Sequence, residues 1–122
     1  MATITRFEDL EIWQEARRLA QVIYQLAIET ELKVDFRFKA QITASSGSVM
    51  DNIAEGFERD GNLEFRQFLS IAKGSAGEVR SQLYRAFDYG YIDQNKFEEL
   101  KTDYEKLSGK IKNFILYLLS GF

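Results

Sequence analysis

Apolar residues recur every three or four positions through four long stretches of this sequence, and that rhythm restricts the chain to helices packed side by side. Ile12, Ala16, Leu19, Ile23 and Leu26 step by 4, 3, 4 and 3, the spacing of a bundle seam. A second stripe, Trp13, Ala20, Tyr24 and Ala27, lies beside it. Ile42, Val49, Ile53 and Phe57 repeat in the same way, as do Phe65, Phe68, Ala72, Val79, Leu83 and Ala86. Phe97, Leu100, Tyr104, Leu107, Ile111, Phe114 and Leu118 carry the rhythm onward. The spacing predicts helices over about 9–30, 36–59, 63–89 and 94–119. No alternating, strand-like pattern competes, and there is no proline to kink a helix.

Punctuation residues fall between these stretches. Asp9 is expected to cap the first helix, Asn62 the third and Asp93 the fourth, with Gly61 and Gly90 just past helix ends. Connections this short force consecutive helices to run antiparallel. The expected fold is all-α, an antiparallel up-down four-helix bundle, with residues 1–122 forming one domain.

The absence of histidine and cysteine removes the usual base at neutral pH, the commonest metal ligand, thiolate chemistry and disulfides. No cofactor or metal is therefore expected. Glu55 and Glu78, set among small residues, are the best candidates for acid–base work or for holding Mg²⁺; the alternative is that each pairs with a nearby cation. The N-terminal residues lack the apolar core of a signal peptide, and the longest apolar run, Phe114 to Leu119, is far too short to span a bilayer. A cytoplasmic location is the expectation. The net charge of −3 and pI near 5.1 weigh against free-standing nucleic-acid binding. Lysines 96, 101, 106, 110 and 112 alternate with carboxylates, as on a solvated helix face.

Small and polar residues interrupt the middle helices. Each interior glycine costs about 0.8–1 kcal/mol relative to alanine, so Ser46, Gly47, Gly74 and Gly77 are expected at helix contacts too close for a larger side chain. Ser48, Asn52, Glu55 and Arg59 share one stripe, readable as a recognition surface or as a hydrogen-bonded seam that fixes register. Glu55 is expected to pair with Arg59 on its own helix, or with Lys73 or Arg80 on the next. Near the C-terminus, Phe114 to Leu119 cover nearly the whole helix circumference at about 100° per residue. With Trp13 and Tyr24 this exceeds one core, so Trp13, Tyr24, Phe114, Leu116 and Tyr117 are candidates for an oligomer interface. The alternative is a terminal turn that folds over the bundle end.

The segment Asn52-Ile53-Ala54-Glu55-Gly56-Phe57 with Arg59, then Glu64-Phe65, Phe68-Leu69, Ile71-Ala72, Lys73-Gly74-Ser75, Glu78, Gln82-Leu83 and Gly90-Tyr91-Ile92, resembles the bacterial four-helix-bundle family of 23S ribosomal RNA intervening-sequence proteins. Phe7, Leu10, Trp13 and Ala16 are similar to its first helix. The resemblance implies a bundle that assembles into a pentameric ring, with no enzymatic activity established for the family. It marks Asn52, Glu55, Gly56, Arg59, Lys73, Gly74, Ser75 and Glu78 as family-motif positions available for interaction. It also implies genes placed within ribosomal RNA insertions, and a distant kinship to a basic pentamer that binds reverse transcriptase and nucleic acid. Here Gln41-Ile42-Thr43 stands where relatives carry arginine before Ala44-Ser45, which weighs against nucleic-acid binding. The expectation is a non-enzymatic homo-oligomeric interaction or scaffold protein that engages a protein or nucleoprotein partner. The alternative is an RNA- or DNA-binding accessory protein.

Overall fold

The structure, a computed structural model, describes residues 3–121. Four α-helices account for most of it: α1 (Glu11–Glu29), α2 (Phe36–Glu58), α3 (Asn62–Asp88) and α4 (Gln94–Leu119). Short 3₁₀ turns at Phe7–Asp9 and Glu31–Val34 precede α1 and α2, and no strand occurs among the described residues. The expected helices are present with boundaries displaced by no more than two residues. They form the antiparallel bundle that their short connections require.

Two of the expected caps are elsewhere. Leu10, not Asp9, precedes α1, and Asp9 closes the 3₁₀ turn with its carboxylate 3.5 Å from Arg6. Gly61 occupies the cap position of α3 in extended conformation, so Asn62 lies inside the helix. There its amide donates to the Leu118 carbonyl of α4 at 2.9 Å, and its Oδ1 accepts from Arg66 at 2.7 Å. Asp93 caps α4 as expected, accepting from the Lys96 amide at 2.8 Å. Asp35 does the same for α2, accepting from the Phe38 amide at 3.3 Å. α3 ends in a left-handed glycine: Gly90 has φ +79°, which lets the Tyr91 amide return to the Ala86 carbonyl at 2.9 Å.

The core is built largely from the expected stripes, with Leu19, Ile23, Ile42, Val49, Ile53, Val79, Leu83, Leu107 and Ile111 fully buried. Early in α3, Leu69 takes the inward place expected of Phe68, which is only partly buried. At the end of α1 the seam slips by one residue, so Ala27 is buried while Leu26 is only partly so. The packing around the bundle is uneven. α2 meets α3, and α3 meets α4, along their lengths, whereas the α1–α4 seam is thin. Ion pairs from Arg18 to Asp103 at 3.3 Å and from Lys110 to Glu11 at 2.5 Å bridge that seam. Tyr104 fills the centre, and its hydroxyl, like that of Ser108 one turn on, is buried without a partner. Burial pushes the Tyr104 phenol well above its ordinary pKa, against a smaller lowering by Arg18.

Only one helical glycine marks a close crossing. A Cβ on Gly56 would lie 2.6 Å from Phe68 Cβ and 3.1 Å from the Phe65 ring. Gly47, Gly74 and Gly77, expected at such contacts, have nothing within 4 Å of where a Cβ would stand. All three lie off the buried stripes of their helices, turned away from the core. Ser46 is buried, as expected, with its hydroxyl donating to the Thr43 carbonyl at 3.1 Å.

Candidate interaction surface

The polar stripe of α2 faces α3 and forms a ladder. Ser48 Oγ and Ser75 Oγ share a hydrogen bond at 3.0 Å, and Asn52 Nδ2 donates to the Ser48 carbonyl and Oγ at 2.8 and 2.9 Å. One turn toward the α2 N-terminus, Gln82 donates to Ser45 Oγ at 3.0 Å, and Ser45 donates to the Gln41 carbonyl at 2.9 Å. The last rung joins Arg85 to Gln41 Oε1 at 3.0 Å, with the guanidinium 4.2 Å from the centre of the Phe38 ring. Gln82 Oε1 and Arg85 Nε are left buried without partners. Of the two readings of the stripe, Ser48 and Asn52 fit the seam. Ser48 is bonded across the two helices and Asn52 is bonded to Ser48, so neither is free to meet a ligand.

The stripe divides beyond Asn52. Glu55 pairs with Arg59 at 2.7 Å rather than with Lys73 or Arg80, and both partners are about half exposed (51% and 53%). Arg59 also lies 5.1 Å from the centre of the Phe68 ring. Glu78 is exposed and has no described partner, and Gly74 is exposed beside partly buried Lys73 and Ser75. The two carboxylates singled out from the sequence thus stand apart in character, one ion-paired and one solvated. No group of three or more metal-binding side chains occurs among the described residues. No helix of the described residues is long and apolar enough to cross a membrane.

The five candidate interface residues separate into two sets. Trp13 is partly buried, its ring 5.1 Å from Phe7 and beneath Arg17 at 5.7 Å. Phe114 is partly buried in a row of rings, 5.5 Å from Phe65 and 6.0 Å from Tyr117, with Phe65 in turn 5.9 Å from Phe57. These rings wall an open cavity of about 520 Å³ at the bundle end, lined also by Thr3, Ile4, Leu10 and Leu118. Tyr24, Leu116 and Tyr117 remain exposed, joined by Leu119, while Leu118 turns inward. A further aromatic group, absent from the sequence reading, lies where α3 and α4 begin their hairpin. Tyr84 and Phe87 sit 4.8 and 5.1 Å from Phe97, with Lys101 5.9 Å from two of these rings. Its sequence signal was the three-residue step from Tyr84 to Phe87 beside, rather than within, the buried stripe.

The family profile of the 23S rRNA-intervening sequence proteins matches residues 8–113. The chain belongs to that family. Its fold is shared with a crystal structure from Bacteroides thetaiotaomicron VPI-5482, described as a protein with unknown function from the S23 ribosomal protein family. The two chains are 23% identical with a TM-score of 0.77, over 85% of this chain and 97% of the other. No curated protein matches it. The match spans α1, the polar ladder, Gly56 and the α3–α4 hairpin.

Proposed function

We propose that this intervening-sequence family member works by binding rather than by catalysis, as a cytoplasmic homo-oligomer that presents its surface to a protein or nucleoprotein partner. The observation that carries the reading is the end of α4. Leu116 and Leu119 are 52% and 57% exposed, with Tyr117 exposed between them, on a helix whose inward stripe is already filled by Ile111 and Leu118. Apolar side chains grouped in this way on a water-facing helix mark a surface that a partner covers. The lack of histidine and cysteine supports the non-enzymatic part. The family resemblance supports five subunits in a ring, formed by heterologous contacts that close on rotation.

Light scattering on the purified protein at micromolar concentration tests the reading. The expected mass is a multiple of 14.2 kDa, five-fold for the ring. Leu116→Glu is expected to dissociate it with helical circular dichroism intact. A 14.2 kDa species that persists at high concentration refutes the assembly, and a dimer keeps the interface while discarding the ring.

A further inference from the structure

Arg66, Lys73 and Arg80 stand seven residues apart on α3, so about 10.5 Å separates each from the next along one line of the helix. That line is the flank turned toward α4, because it also carries Tyr84 and Phe87, whose rings touch Phe97. Across the groove α4 supplies Lys101, beside those rings, and Lys112 eleven residues on, three turns later on the same side. None of these five cations has a described carboxylate within 4.0 Å. Glu98 and Glu105, seven residues apart, are the carboxylates on that flank of α4, and both are unpaired too. An acidic chain therefore carries a groove in which five cations without ion pairs outnumber two carboxylates, with half-exposed rings at one end (Tyr84 47%, Phe87 37%).

The outer face of α2 is its complement. Asp51 and Glu58 are exposed, have no partner, and are also seven residues apart. One and two turns before Asp51 the same face carries Gly47 and Ala44, with open space above the glycine. An antiparallel register that sets Asp51 against Arg80 also sets Glu58 against Lys73, because the two spacings are equal. It simultaneously lays Gly47 on Tyr84 and Ala44 on Phe87, the smallest residues of one face on the largest of the other.

We infer that the outer face of α2 in one copy of the chain docks antiparallel into the α3–α4 groove of the next. The inference rests on the oligomeric reading above and names two faces that meet in addition to the exposed end of α4. They are different faces, so the contact is heterologous and propagates from copy to copy. It accounts for the unpaired acids Asp51 and Glu58 of α2, for the unpaired Lys73 and Arg80 of the groove, and for Gly47, which nothing inside the bundle requires. A nucleic-acid strand would use only the cations, and would meet Glu105 and a net charge of −3.

A charge exchange tests it, read by light scattering with circular dichroism as the folding control. Lys73→Glu with Arg80→Glu, and separately Asp51→Lys with Glu58→Lys, are each expected to reduce the oligomer to 14.2 kDa. The chain that carries all four substitutions is expected to reassemble, since the same pairs form with their signs reversed. If a reversed pair unfolds the chain, Lys73→Gln with Arg80→Gln replaces it, and at least a tenfold weaker assembly is expected. An oligomer that neither double variant disturbs overturns the docking while leaving the oligomeric reading intact. A four-substitution chain that stays monomeric also overturns it. A wild type that is itself monomeric removes both readings. Binding of a short single-stranded oligouridylate that is lost in the Lys73→Glu, Arg80→Glu variant, with oligomer mass unchanged, assigns the groove to nucleic acid instead.

Discussion

Replacing Gly56 with alanine adds a methyl group 2.6 Å from Phe68 Cβ and 3.1 Å from the Phe65 ring. Carbon atoms rest at about 3.5–4.0 Å, so the nearer contact is short by about 1 Å. The atom it meets is fixed to the α3 backbone and cannot rotate aside, so α2 and α3 must move apart near their shared hairpin. Overpacking of this kind costs about 1–3 kcal/mol. Alanine's helix propensity returns about 0.8–1 kcal/mol, which leaves a net destabilisation of about 0–2 kcal/mol. Gly74→Ala makes the same gain with nothing within 4 Å to oppose it, and is expected to stabilise by up to about 1 kcal/mol. The two substitutions are chemically identical, so the difference in their urea midpoints isolates the contact. The expected separation is about 1–3 kcal/mol at unchanged slope. Equal shifts, or a Gly56→Ala protein more stable than the wild type, would refute the close crossing.

Three further outcomes follow from individual side chains. Glu55→Ala breaks a half-exposed pair and is expected to cost less than about 0.5 kcal/mol by urea denaturation, and a loss of several kcal/mol would show that the carboxylate is buried. Ser48→Ala removes the partner of both Ser75 and Asn52 and is expected to cost about 1 kcal/mol, with a neutral result placing no value on the ladder. Tyr104→Phe deletes a buried hydroxyl that has no partner, and is expected to leave stability unchanged or raise it by about 1 kcal/mol. Because the native phenol holds its proton above the pH at which the unfolded one releases it, the unfolded state binds fewer protons there. Stability should then fall by about 1.4 kcal/mol per pH unit above about pH 10, and the Tyr104→Phe variant should lose that part of the fall in alkaline urea titrations.

The helices were legible because their apolar spacing is what the bundle buries. Ile42, Val49 and Ile53, or Ala72, Val79 and Leu83, are read off the sequence and found fully enclosed. The phase of each glycine stands in the sequence too, although the expectation of contacts at Gly47, Gly74 and Gly77 passed over it. Gly56 follows buried Ile53 by three and lies on the stripe, whereas Gly74 falls midway between buried Ala72 and Ala76 and so points outward. Composition alone treats these glycines as equal, and only the phase separates them. Caps were less legible, since Asp9 and Asn62 each found a different partner, Arg6 and the Leu118 carbonyl, once the tertiary fold brought it near. The candidate site required the fold. That Ser48 meets Ser75 and Gln82 meets Ser45 depends on the antiparallel register of two helices, which no spacing within one helix contains. The heptad row of Arg66, Lys73 and Arg80 stands in the sequence, but its lack of carboxylate partners is a property of the packed surface.

The thin seam between α1 and α4 divides the molecule in its motions as well as in its contacts. α3 packs along its length on both α2 and α4, with the polar ladder between α2 and α3, while α1 packs on α2 and meets α4 along a thin seam bridged by two ion pairs. Such pairs contribute little and are weakened further by salt. The expected first opening is along this seam, with α1 parting from α4. In native-state hydrogen exchange, amides in the middle of α1 would exchange through this partial opening, ahead of those around Leu69 to Leu83 in α3. Rising ionic strength would widen the gap between the two sets of amides.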